Sequence, residues 1–85
     1  MTKSEMFNLC DTIEDDACDR VKAAENTERA LREIILLQHD LEVAYCSVNV
    51  RDLTEDDMHT TEVAFYSTSA LLEGIRVGLC ARPKG

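Results

Sequence analysis

An all-α fold follows from three observations on this sequence. Apolar residues recur at spacings of three and four in three separate stretches. Each stretch begins beside a side chain able to cap a helix: Thr2, then Asn26 or Thr27, then Thr54. A connection of roughly five residues between the second and third stretches favours an antiparallel pair. The expected architecture is a single small domain over 1–85, a three-helix arrangement built on the antiparallel hairpin of the second and third helices, and expected to be dimeric.

The first helix spans about 3–24. Thr2 with Glu5 three residues later forms a capping box, and Met6, Leu9, Cys10, Ile13, Ala17, Val21 and Ala24 follow at helical spacing. Its opposite face carries Asp11, Glu14, Asp15, Asp16 and Asp19. The apolar stripe is narrow and built partly of Ala and Cys, so this helix is expected to dock on the others rather than nucleate the core. No Gly or Pro separates Ala24 from Ala30. One bent or continuous helix over 4–48 therefore competes with two separate ones.

The second helix, about 27–48, is the only segment apolar on more than one side. Ala30, Ile34, Leu37, Leu41, Ala44 and Val48 form one seam, widened by Leu31 and Tyr45. Ile35, Leu36, Val43 and Cys46 project from another side, and the first helix has too narrow a stripe to cover them all. These four are assigned to an oligomer interface. The helix is expected to end at Ser47-Val48-Asn49-Val50, where β-branched and turn-favouring residues meet.

The third helix, about 55–82, has the strongest start signal. Thr54 caps it, Glu55, Asp56 and Asp57 fill a first turn where the helix dipole favours negative charge, and Leu53 with Met58 forms a hydrophobic staple. Its expected core stripe is Met58, Phe65, Leu72 and Leu79, supplemented by Ala64, Leu71 and Ile75, and Pro83 stops it. Ser67, Ala70, Gly74 and Gly78 line another side. Each interior Gly costs roughly 1 kcal/mol against Ala, which calls for a close crossing by the first helix or by a second subunit. Ala70, Gly74 and Gly78 are therefore added to the oligomer interface.

A chain of 85 residues buries a modest fraction of its surface, so extra burial in an oligomer is expected. Cys10, Cys18, Cys46 and Cys80 are scattered, with no CxxC pair. Cys10 and Cys18 on one helix lie roughly 12 Å apart along its axis, beyond the reach of a disulfide. Without an apolar leader or a run long enough to span a bilayer, free thiols in the cytoplasm fit best.

A formal net charge of -8 argues against direct nucleic-acid binding, which needs a basic footprint. No nucleophile, phosphate loop or metal constellation is present in the pattern, so no enzyme activity, cofactor or metal is expected. His39 and His59 lie on different helices, and neither forms ligand spacing with a cysteine or carboxylate. Glu14-Asp15-Asp16 lacks the glycine and alternating oxygen ligands of a calcium loop.

An up, down, up arrangement would collect Glu5, Asp11, Glu14, Asp52, Glu55, Asp56 and Asp57 at one end and Arg20, Lys22, Arg29, Arg32, Arg76, Arg82 and Lys84 at the other. Three functions compete on that map. The first is a protein-binding inhibitor or regulator, dimeric, that occupies a surface of a larger protein or nucleic-acid-binding complex, steered by Asp11, Glu14, Asp15, Asp16, Asp19, Glu55, Asp56 and Asp57. The second is an oligomer that holds an anionic small ligand or nucleotide at the basic pole. The third is a structural or assembly subunit.

In size, acidity, helical content and lack of catalytic residues, the chain resembles the small inhibitors encoded by phages and mobile elements, such as anti-CRISPR proteins and quorum-sensing antiactivators. The resemblance covers the whole chain as composition and architecture. It implies a protein that blocks a host complex by steric occlusion or by imitating nucleic-acid charge, and it assigns no particular residue.

Overall fold

Three helices make up the computed structural model, which describes residues 2–48, 51 and 53–81: α1 (Lys3–Ala23), α2 (Thr27–Cys46) and α3 (Glu55–Cys80). Each start is capped as the side chains dictate. Thr2 Oγ1 accepts from the Glu5 backbone N–H at 3.2 Å while the Glu5 carboxylate accepts from the Thr2 N–H, completing the capping box. Asn26 Oδ1 accepts from the Arg29 N–H at 2.9 Å, and Thr54 Oγ1 from the Asp57 N–H at 3.1 Å.

The question of one long helix or two is settled at Ala24 and Asn26. Both adopt extended backbone, Ala24 at φ -70° and ψ 136°. The Asn26 amide oxygen then supplies the acceptor that the first turn of α2 needs. No Gly or Pro is required, because a strong cap with ordinary φ suffices. At the other end, α2 runs to Cys46 and is capped at Ser47, where the stretch expected to end it begins. Ser47 turns its hydroxyl back onto the Val43 carbonyl at 2.8 Å, and Val48 folds in against the core. The expected end of the third helix at Arg82 and its stop at Pro83 lie outside the described residues.

Cross-helix contacts fix the directions. Lys3 meets Asp57 and Glu14 meets Thr68, a constant offset of 54 positions, so α1 and α3 run parallel. Gln38 meets Glu73, and Tyr45 stacks on Phe65 with ring centroids 4.2 Å apart, so α2 runs antiparallel to α3. All three helices pack on one another in an elongated body of 50 × 18 × 16 Å.

The core is the line where three stripes meet. Met6, Cys10, Ile13 and Ala17 come from α1, and Ala30, Ile34, Leu37, Leu41 and Ala44 from α2. The narrow stripe of α1 supplies a third side of the core, with Met6 fully buried.

On α3 the stripe differs from the expected one. Leu72 and Leu79 are buried, but Phe65 is only partly so, and Met58 and Leu71 are exposed. The innermost line runs through Thr61 and Thr68 instead. Both are tolerated there because each hydroxyl has an acceptor: Thr61 Oγ1 donates to the Asp57 carbonyl at 2.7 Å and Thr68 Oγ1 to Glu14 Oε1 at 3.1 Å. A small branched side chain also lets α1 and α2 close over α3 where a Phe would hold them apart.

Candidate interaction surfaces

The carboxylates of α1 separate into two groups once the helix is docked. Glu14 turns toward α3 and accepts from Thr68, and Asp16 leans toward Arg20 at 4.0 Å. Both are half-buried. Asp11, Asp15 and Asp19 recur every fourth residue on the side away from the core, are exposed, and make no ion pair among the described residues. The aligned acidic face therefore narrows from five residues to a row of three.

At the start of α3, Asp57 is also committed. The Lys3 ammonium donates to its carboxylate at 2.7 Å and holds that carboxyl below the usual range, helped by the Thr54 cap. Glu55 and Asp56 remain exposed beside it. Because Lys3 touches Asp57, the starts of α1 and α3, with Glu5, Glu55 and Asp56, share one end; Glu14 lies further along, against Thr68, and Asp11 one turn before it, so these two are not part of that end, and Asp52 lies outside the described residues.

The basic end is less free than its composition suggests. Arg20 donates to Glu33 at 2.8 Å, Arg29 lies 3.9 Å from Glu25, and Arg32 lies 3.4 Å from Glu28. Arg76 donates through Nε to Glu73 at 3.0 Å, and Gln38 donates to the same carboxylate. Those two donors push the Glu73 carboxyl down, and the carboxylate in turn pushes the Arg76 guanidinium up. An open hollow of about 280 Å³ lies between Arg20, Ala24 and Arg29, but Glu33, its other wall, already takes Arg20. Arg82 and Lys84 lie outside the described residues.

Two apolar strips face outward. On α2, Ile35, Leu36 and Val43 are 48, 54 and 52% exposed, and His39 and Cys46 are exposed on the same side. On α3, Val63, Tyr66 and Val77 are 50, 63 and 56% exposed, with Ala70 and Gly74 between them. Sequence reasoning missed Val63, Tyr66 and Val77 because it attended to the small residues among them. Their spacing, with Ala70 completing a run of three, four and seven, was the available signal.

No helix of this chain crosses closely at the glycines: a methyl group placed on Gly74 or Gly78 would meet nothing within 4 Å. The expected close approach by α1 is therefore made at neither glycine. Gly78 instead borders a shallow hollow of about 430 Å³ with Cys18, Val21, Lys22, Ile75 and Leu79.

The four cysteines are free; Cys10 is buried and Cys18, Cys46 and Cys80 are exposed. Burial pushes the Cys10 thiol up, and the nearby Glu14 and Asp11 carboxylates add to this against an opposing hydrogen bond with Thr68. Among the described residues no three His, Cys, Asp or Glu side chains are grouped to hold a metal, and no helix is long and apolar enough to cross a membrane. His59 and His39 are both exposed, on different helices. Comparison with protein-family models, with curated proteins and with solved structures finds no match to this chain.

Proposed function

We propose that this chain is a non-enzymatic protein-binding regulator that acts by occupying a surface of a larger protein or complex. The single observation that carries the reading is the uncovered apolar strip of α3, Val63, Tyr66 and Val77, in a domain whose core is otherwise closed. An exposed tyrosine between two valines is the kind of anchor that dominates protein interfaces. The exposed row Asp11, Asp15 and Asp19 on α1 steers the protein to a basic patch on the partner. An inhibitor that imitates the charge of a nucleic acid would use such a row in the same way.

The alternative of an anionic ligand at the basic end has less support. Arg20, Arg29, Arg32 and Arg76 already sit against Glu33, Glu25, Glu28 and Glu73, so an incoming anion would have to displace a carboxylate at each.

The test is affinity capture from the source cell with the natural chain beside two variants, Tyr66→Ala and the triple change Asp11→Lys, Asp15→Lys, Asp19→Lys. Lysine is the better helix former, so the triple variant keeps α1 intact. The natural chain is expected to retain a specific protein that both variants lose while their helical circular dichroism is unchanged. Recovery of the same proteins by all three chains would refute the reading.

A further inference from the structure

We infer that α3 is built as two units hinged at Gly74, and that its last two turns, residues 75–81, open and reclose as a strap while the rest of the bundle stays folded.

The boundary is drawn by what ties α3 down. Hydrogen bonds, an ion pair and a ring stack join α3 to α1 and α2 at Asp57, Phe65, Thr68 and Glu73. Past Glu73, no hydrogen bond, ion pair or ring contact reaches another helix among the described residues. Burial changes at the same place. Thr61, Thr68 and Leu72 are buried before Gly74, whereas beyond it only Leu79 is buried, with Ile75 and Arg76 half-buried. The hollow of about 430 Å³ bordered by Cys18, Val21, Ile75 and Gly78 leaves this end of α3 short of neighbours on the α1 side.

Backbone preference weakens the same stretch. Gly74 and Gly78 each lower the helical equilibrium about fivefold against Ala. No close packing within the chain offsets this, since a methyl group on either glycine would meet nothing within 4 Å. The last turn also holds no basic side chain to complement the helix dipole, whereas the first turn carries Glu55, Asp56 and Asp57. A stretch with few cross-helix ties, sparse burial and two glycines opens more readily than the domain unfolds.

Val77 rides on the strap, while Val63 and Tyr66 stand on the fixed part. The apolar strip of α3 is therefore whole only when the strap is closed, and a partner that grips Val77 holds it shut. That role rests on the partner surface proposed above; the opening does not.

Hydrogen exchange on the full chain, followed amide by amide by NMR in low urea, tests the opening. Amides 77–81 should share one protection factor, at least about tenfold below that of amides 61–72. Gly74→Ala should raise it about fivefold at every one of these positions, and Gly78→Ala should add a similar factor. Alanine is the better helix former, so both variants fold. Protection at 77–81 equal to that at 61–72 would overturn the inference. So would a residue-by-residue decline in which Gly74→Ala leaves Cys80 and Ala81 unchanged, the mark of simple end fraying. Neither result bears on capture of a partner through Tyr66, and failure of that capture leaves the exchange pattern standing.

Discussion

Leu72 and Leu36 are the same residue type in the same kind of helix, yet one has no exposed surface and the other is half in water. Truncating Leu72 leaves a cavity where α1, α2 and α3 meet. Leu72→Ala should cost about 2–5 kcal/mol, a large part of the stability of so small a domain. Leu36→Ala in the dilute single chain should cost about 0.5 kcal/mol or less. Urea denaturation of both variants measures the contrast, and equal losses would mean that α2 is rotated about its axis from the arrangement described. Residue by residue, the sequence was most legible where periodicity and polarity agree, as at Ile34, Leu37 and Leu41. Thr61 and Thr68 were not legible. A threonine reads as surface until a carbonyl one turn back, or a carboxylate from another helix, supplies its acceptor.

At the scale of the helix, two devices hold α3 in place and one weakens it. Asp57 is tied to Lys3 of α1, and Glu73 to Arg76 on α3 and to Gln38 of α2. Both carboxyls are held below their ordinary value in the folded chain, chiefly by the donors Lys3 and Arg76. The unfolded chain therefore takes up these protons first. The stability they contribute is complete above the ordinary carboxylate value of about 4 and is lost as pH falls through the lower folded values. Thermal melts of the natural chain should drop over that window, and the drop should be shallower in a Asp57→Asn, Glu73→Gln variant; parallel pH curves would show that neither contact matters. Gly74 is the weakening element. It is exposed, at the middle of the carboxy-terminal half of α3, with room for a methyl group. Gly74→Ala should stabilise the monomer by about 1 kcal/mol and raise its melting temperature by roughly 4–8 °C. A fall in melting temperature would reveal a close contact at that glycine. Helix starts were legible because Thr2, Asn26 and Thr54 are local capping signals. The end of α2 was legible too, at Ser47, which reaches back to Val43, with Val48 packed in the core as its place in the seam requires.

For the molecule as a whole, up, down, up topology could be anticipated from connection lengths, and the contacts Lys3–Asp57 and Gln38–Glu73 realise it. Its charge distribution could be anticipated only in part. Composition counts Arg20, Arg29, Arg32 and Arg76 as a basic pole, but neighbouring glutamates one turn or one helix away neutralise each of them. Among the described residues the exposed carboxylates without an ion pair include Asp11, Asp15 and Asp19 on α1, Asp40 and Glu42 on α2, and Glu55 and Asp56 on α3; the apolar strip of α3 was contained in the periodicity but not advertised by polarity.

The binding reading combines the apolar strip of α3 with the acidic row of α1, and the association rate with the captured partner as a function of salt tests it most directly. A steered encounter slows as ionic strength shortens the Debye length from about 30 Å at 0.01 M to about 8 Å at 0.15 M. The natural chain should show a steep decline, and the Asp11→Lys, Asp15→Lys, Asp19→Lys variant a slower rate with the slope flattened or reversed. A rate that is independent of salt, or an identical slope for the two chains, would contradict the account.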